Sequence, residues 1–436
     1  AFRSKPFSGH FYSLFPAFAI PNYRLFMSGQ AISLIGTWMQ GPVLAWVVYD
    51  LTHSKKALGM VSFLQQLPMT VLVIAAGVAA DRYSRQRLIT ITQTWLMLIA
   101  FVLGVLTYTN HLTISWIYGC AVAMGIAQAL DVPARQAFMV EVAGRKALGN
   151  AIALNSAVFN TARVVGPSVG GYVLAAVGAA WCFFINAASF LAVIAALVAM
   201  RGLHYRPMTK SGKGIQNLVD GLKYVWRHGD IRIILILTAA FSLFGTYFAT
   251  LLPAFAREVY NKGEKEYGLL ISSLGVGALL GALVMATTTR WAKQQYFTLF
   301  GMALNCCALI ALAFSKNYGD ACIFYCINGF GMICFLIAGN ILVQHLSAPE
   351  YQGRTMGARH FVFGGMWTFG SLLAGYLPNY LGLPWTVASG AIVMGVALLV
   401  CGPRVLRIDM GPLAAEHSAG GGDAQVVAEV LAHTRK

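Results

Sequence analysis

Acidic side chains are scarce. Only 15 Asp and Glu occur among 436 residues, and the four charged types together make up 11% of the chain. So few polar groups cannot coat a water-soluble globule of this size. Catalytic signatures are missing as well: no nucleophile and base at workable spacing, no His-Glu-x-x-His zinc pattern and no phosphate-binding loop. Gly275-Val-Gly277 lies inside an apolar span and reads as helix packing, not as a dinucleotide fingerprint. The chain carries no nucleotide-binding domain, which argues against ATP coupling. Its eight cysteines fall in or beside apolar segments. The pairs Cys306/Cys307 and Cys322/Cys326 have no charged co-ligand, so they read as small buried hydrophobes, and no metal or cofactor is expected.

What the chain has is hydrophobicity: 58% of its residues, arranged in about twelve runs, each near the roughly 20 residues a bilayer crossing requires. The expected spans are 23–49, 57–80, 88–109, 112–138, 146–176 and 179–200, then 231–257, 266–288, 295–315, 318–346, 355–380 and 384–403. A β-barrel would alternate polar and apolar residues in short segments, so these continuous runs are helices. The net charge of +16 could suggest nucleic acid. Its distribution argues otherwise. Arg82, Arg85, Arg87, Arg145, Lys146, Arg201, Lys223, Arg227, Arg290, Arg354 and Arg404 fall on alternate loops, while the opposite loops carry chiefly Lys55, Lys56, Lys262, Lys265 and Lys316. The positive-inside rule then puts both termini in the cytoplasm. The first residues are polar and basic and lead into a full-length span, so no cleavable leader is expected there.

Residues 201–230 are polar and read as a linker, with Ile215, Leu218, Val219, Leu222, Val225 and Trp226 at amphipathic helical spacing on the cytoplasmic face. The flanking bundles, 23–200 and 231–406, echo each other at an offset of 204: Gly77 with Gly281, Gly125 with Gly329, Gly149 with Gly353, Gly166 with Gly370, Gly171 with Gly375, Tyr172 with Tyr376 and Gly178 with Gly382. Residues 1–22 form an N-terminal cytoplasmic segment and 407–436 a disordered cytoplasmic tail. The fold class expected is all-α: a membrane protein of twelve transmembrane helices in two six-helix halves, an arrangement that places a ligand between the halves.

Between the second and third spans the chain reads Gly77-Val-Ala-Ala-Asp81-Arg82-Tyr-Ser-Arg85-Gln-Arg87. This resembles the signature loop of the major facilitator superfamily, which implies a latch between halves. Gly77 would allow close helix approach and Asp81 would accept from the positive end of the eleventh span. Asp131 and Arg135, four residues apart, share one face of the fourth span, and a charged pair at that depth is costly unless partnered. Family resemblance implies that Asp131 pairs with Arg85; a proton-carrying role is the alternative. The run from Arg163 through Gly166, Pro167, Gly170 and Gly171 resembles the Gly/Pro motif of superfamily antiporters. Arg163 lies near mid-span, either attracting an anionic or carbonyl-rich substrate or clamping the bundle. Trp38, Gln40, Gln65, Asn155, Asn160, Asn340 and Gln344 are further polar cavity candidates, or glue between helices.

Asn22-Tyr-Arg24, Gly36-Thr-Trp38-Met-Gln40, Tyr49-Asp50-Leu-Thr52 and Asp131-Val-Pro-Ala-Arg135 closely resemble the exporter branch that holds the enterobactin exporter and the macrolide efflux proteins, the drug:H+ antiporter-3 group. What this implies is a monomer in the bacterial inner membrane that exports a siderophore or amphiphilic drug by alternating access in exchange for protons, with no nucleic-acid partner. Its proton-coupling candidates are Asp131, Glu141, Asp50 and Glu258. Direction is not fixed by the residues, so an uptake permease, a lipid-flipping facilitator or a membrane receptor stays open. The second-half counterpart of the signature loop departs from the pattern: Met285 stands at the place of the acid.

Overall fold

In hydrocarbon a backbone must satisfy its own hydrogen bonds, which the apolar runs do by forming helices. The computed structural model describes residues 15–200, 214–288 and 293–408. No strand occurs among the described residues. After a 3-10 turn at Pro16–Ala19 come α1 (Pro21–Thr52), α2 (Lys55–Arg82), α3 (Arg85–Tyr108), α4 (Ile114–Gly144), α5 (145–177) and α6 (Ala179–Ala199). The shorter α7 (Gly214–Arg227) leads to α8 (Gly229–Val259), α9 (Glu264–Thr288), α10 (Gln294–Phe314), α11 (Tyr318–Leu346), α12 (Gln352–Tyr376) and α13 (Leu383–Leu406).

Every expected span has its helix. The largest edge error is at α4, which continues past residue 138 through Met139, Val140, Glu141, Val142 and Ala143 to Gly144. Gly144, at φ 66°, turns the chain from α4 into α5, a left-handed conformation that glycine adopts without strain. The repeat is visible in backbone geometry: Gly178 (φ 86°) before α6 and Gly382 (φ 77°) before α13 make the same turn 204 residues apart.

Among the described residues, nine helices are long and apolar enough to cross a membrane. The three long helices outside that set are α2, α5 and α12, which carry Gln65 and Gln66, Asn155, Asn160 and Arg163, and Arg354, Arg359 and His360. Their polarity fits their position. α2 packs along α12 and α5 along α9, and these seams join the chain before α7 to the chain after it. Within each region, α1 packs on α5 and α6, α2 on α4, α9 on α11, α10 on α11 and α13, and α8 on α12 and α13.

The seams are tight at one end only. At this tight end a methyl placed on Gly171 would lie 3.0 Å from the Gly268 Cα, and one placed on Gly375 would lie 2.9 Å from the Gly59 Cα. At the other, wide end, a methyl on Gly149 or Gly353 would meet no described atom within 4 Å. Gly149/Gly353 and Gly171/Gly375 are both repeat pairs, so α5 and α12 each pinch at one end and splay at the other.

α7 lies across the wide end. Asp220 is 3.7 Å from Arg354 of α12, and the Tyr224 ring stacks on Tyr351 at 4.4 Å. Val225 is buried and Leu218 and Leu222 are half-buried, while Trp226 and Val219 are exposed, so only part of the expected apolar stripe faces protein. The expectations for residues 1–14, for 201–213, for Arg290, for the tail from 409 and for the side chains of Asp81, Arg82, Arg145, Lys146 and Ile215 lie outside the described residues.

Candidate functional site

Between the seams, α5 turns Arg163 toward α1 and α11. Its guanidinium carbon sits 5.7 Å from the centre of the Trp38 ring, and Nη2 lies 3.7 Å from the Met332 sulfur. Trp38 meets Phe159 edge to face at 5.3 Å, and Phe159 is exposed. No carboxylate among the described residues pairs with Arg163. Its charge is therefore met on these sides by an aromatic face and a thioether, not by an anion.

Pro167 explains part of the local geometry. It has no N–H, so the Arg163 carbonyl four residues earlier loses its ordinary helical donor. The same stretch of α5 is bound to α9: Ser168 donates to Ser272 at 2.6 Å, and Ser272 donates to the Val164 carbonyl at 2.8 Å. Gly166 and Gly170 do not face this seam. Methyls there would press on Trp38 Cβ at 2.6 Å and Met39 Cγ at 3.0 Å, so these glycines seat α5 on α1. Gly171 faces α9.

The tight end carries a charge network across the seams. Lys55 of α2 lies 2.7 Å from Glu258 of α8, and Tyr49 of α1 donates to the same carboxylate. Arg257 lies 2.7 Å from Asp50 and 3.5 Å from Glu264, and stacks over the Trp46 ring at 4.5 Å. The repeat-related tyrosines Tyr172 and Tyr376 each sit under a lysine from beyond their own helix, Lys265 at 4.8 Å and Lys56 at 5.3 Å.

Asp131 is buried at 4% exposure and accepts from Thr92 at 2.8 Å, from Gln93 at 2.9 Å and from Arg135. The implied pairing of Asp131 with Arg85 is not made. Arg85 instead pairs with Glu141 at 3.2 Å, because Arg85 opens α3 while Asp131 lies too far up α4 and Glu141 is near its close. Gly77 makes no close helix contact: a methyl there would meet no described atom within 4 Å, since it lies toward the wide end.

The polar candidates divide. Gln40 is corrected from cavity to packing: it is 3% exposed, accepts from Asn186 and points its amide at Met124. Asn340 accepts from Arg359, Asn160 donates back to Ser156 at 2.8 Å, and Gln344 is exposed near the close of α11. Gln65 and Asn155 are half-buried; Gln65 offers its carbonyl to the seat of Gly125. Trp38 remains beside Arg163. Sequence reading missed Arg359, 4% exposed in α12, although an arginine inside an expected span was a sufficient signal.

Residues 12–435 match the family model described as transmembrane secretion effector. The chain belongs to this family. It is thus a multi-pass membrane transporter of the major facilitator kind that moves small molecules outward, and it is not an enzyme. It is 27% identical to the staphyloferrin A transporter of Staphylococcus aureus (strain NCTC 8325 / PS 47) over 64% of this chain and 72% of that one. The multidrug efflux pump Tap of Mycolicibacterium fortuitum is 26% identical over 84% of this chain and 91% of its own. The enterobactin exporter EntS of Shigella boydii serotype 18 is 23% identical, covering 89% and 92%. The fold is similar to a bacterial homologue of the human lysosomal transporter Spinster, crystallised inward-facing and unoccupied, with TM-score 0.71 and 14% identity over 93% of this chain and 99% of that one.

Proposed function

We propose that this transporter exports an anionic small organic molecule of the siderophore type by alternating access. The observation that carries this is Arg163, a cation near mid-span with no carboxylate partner among the described residues. Holding such a charge unpaired in hydrocarbon costs several kcal/mol, so it is retained for a ligand. In this reading α1–α6 and α8–α13 are twelve membrane spans, two six-helix halves (23–200 and 231–406) joined by the linker 201–230. Both termini, 1–22 and 407–436, are cytoplasmic. The tight end, with Asp50, Lys55, Arg257 and Glu258, then faces outward, and the wide end opens the Arg163 cavity to the cytoplasm. The halves rock about the α2/α12 and α5/α9 seams, and Gly77, Asp81, Arg82 and Arg85 meet the opposite half once the wide end closes.

The same reading makes the protein a monomer of the bacterial inner membrane. Export is driven by protons, exchanged at one or more of Asp131, Glu141, Asp50 and Glu258. Anion selectivity favours the siderophore reading over a cationic amphiphile; the resemblance to the pump Tap supports the drug reading as the second one. The test is transport in proteoliposomes with an imposed pH gradient, offering a hydroxycarboxylate siderophore, a catecholate siderophore and a macrolide. Gradient-driven movement of either siderophore supports the reading. Movement of the macrolide alone refutes the anion, and movement without a gradient refutes proton coupling.

A further inference from the structure

A shallow groove of about 540 Å³ runs along the outer face of α3, which supplies seven of its eight lining residues, with Cys120 of α4 as the eighth. Its wall along α3 is Ile91, Thr94, Trp95, Leu98 and Val102, a single stripe at helical spacing, and Cys120 of α4 forms the far side. The two threonines at its lower end, Thr90 and Thr94, turn their hydroxyls back onto the Gln86 and Thr90 carbonyls at 2.9 and 2.8 Å. They therefore show the groove only methyl groups. Ile91, Trp95, Leu98 and Val102 are exposed, and in a multi-pass membrane protein their solvent is hydrocarbon.

Length and charge narrow the occupant. From Ile91 to Val102 the stripe rises about 16 Å at 1.5 Å per residue. One leaflet contributes about 15 Å, half of a hydrocarbon core of roughly 30 Å. One turn before Ile91, on the same face of α3, stands Arg87, exposed and without an ion-pair partner among the described residues. The helix begins there too. Ser84 at the N-cap makes no side-chain bond to the helix, and the first turn holds no acid, so the positive end of α3 is left for an anion. We infer that the α3/α4 groove is a phospholipid site, taking one acyl chain along Ile91–Val102 and an anionic headgroup phosphate at Arg87. A leaflet-long apolar groove with a cation and an uncapped helix start at its mouth matches this one ligand at both ends. The inference requires only that α3 and α4 lie in the membrane, and it stands apart from the transport proposal.

The test uses the full-length protein in phosphatidylcholine vesicles containing rising fractions of chain-brominated phosphatidylglycerol or chain-brominated phosphatidylcholine. The signal is the tryptophan fluorescence that Trp95→Phe removes. A basic side chain at the membrane surface favours an anionic lipid by about fivefold. Half-quenching is therefore expected at about a fivefold lower fraction of the brominated phosphatidylglycerol. Arg87→Gln is expected to bring the two curves together, and Arg87→Lys to keep them apart. Equal quenching by both lipids in the wild type overturns the inference, as does a preference that survives Arg87→Gln. Arg87 is exposed at the start of its helix, so neither substitution disturbs a packed core.

Discussion

Replacing Gly171 with alanine is expected to push the tight end apart. Its new methyl would sit 2.8 Å from the Glu264 carbonyl oxygen and 3.0 Å from the Gly268 Cα. Carbon atoms at rest lie about 3.5–4.0 Å apart, so α5 and α9 must separate by about 0.5–1 Å. Both neighbours are backbone and cannot swing away. Forcing a methyl into such a contact costs about 1–3 kcal/mol, and that cost falls only on the state in which the seam is closed. The population open at the tight end should rise about 5- to 150-fold. Gly375→Ala acts on the other seam in the same way, with its methyl 2.9 Å from both the Gly59 Cα and the Lys55 carbonyl oxygen. The double variant should add the two penalties. The assay is pulsed electron spin resonance between labels at Lys56→Cys and Lys262→Cys, both exposed at the tight end on opposite sides of the seams, with native cysteines replaced. Longer distances in the variants are expected. A distribution unchanged in the double variant would refute the claim that these glycine contacts close the gate.

Other substitutions test the remaining parts. Arg163→Ala should weaken binding of an anionic substrate by about 10- to 150-fold, the value of a charge-assisted hydrogen bond, with Arg163→Lys intermediate, as read by tryptophan quenching on titration. Lys55→Ala removes a partly exposed ion pair to Glu258 and should open the tight end only slightly, by about 0.2–1 kcal/mol, a difference that disappears in high salt in the same spin-label pair. Asp131→Asn leaves Arg135 without its anion and is expected to lower thermal stability in detergent, at the low end of about 3–5 kcal/mol because Arg135 keeps some solvent access.

Much of the fold was legible because the bilayer imposes a length on every apolar run, and that length survives in composition. Hence the helices fall where the runs do, and the one sizeable edge error is in α4, which runs on past Glu141 until the glycine turn at 144. The offset of 204 was legible too, and the glycine turns at 178 and 382 give it a backbone meaning. Partnership was harder. Two acids on α4, Asp131 and Glu141, competed for Arg85, and only the height of each along the helix decides which one it reaches. Gln40 looked like a cavity residue until Asn186 of α6 claimed it. Arg359 escaped notice because its counterpart in the first half, 204 residues earlier, is Asn155, so the repeat gave no warning of a buried charge. The tight-end network joins Lys55, Arg257 and Glu264 from three different helices, a relation that no spacing along one helix can reveal.

The central claim is that Arg163 receives the substrate's negative charge in a cavity open at the wide end. The most direct measurement is counterflow of a radiolabelled hydroxycarboxylate siderophore in proteoliposomes, comparing wild type, Arg163→Lys and Arg163→Ala, with its neutral methyl ester as competitor. The account predicts exchange in the wild type, reduced exchange with lysine, a further reduction with alanine, and no competition from the ester. Undiminished exchange by Arg163→Ala, or competition by the ester equal to that of the free acid, would contradict it.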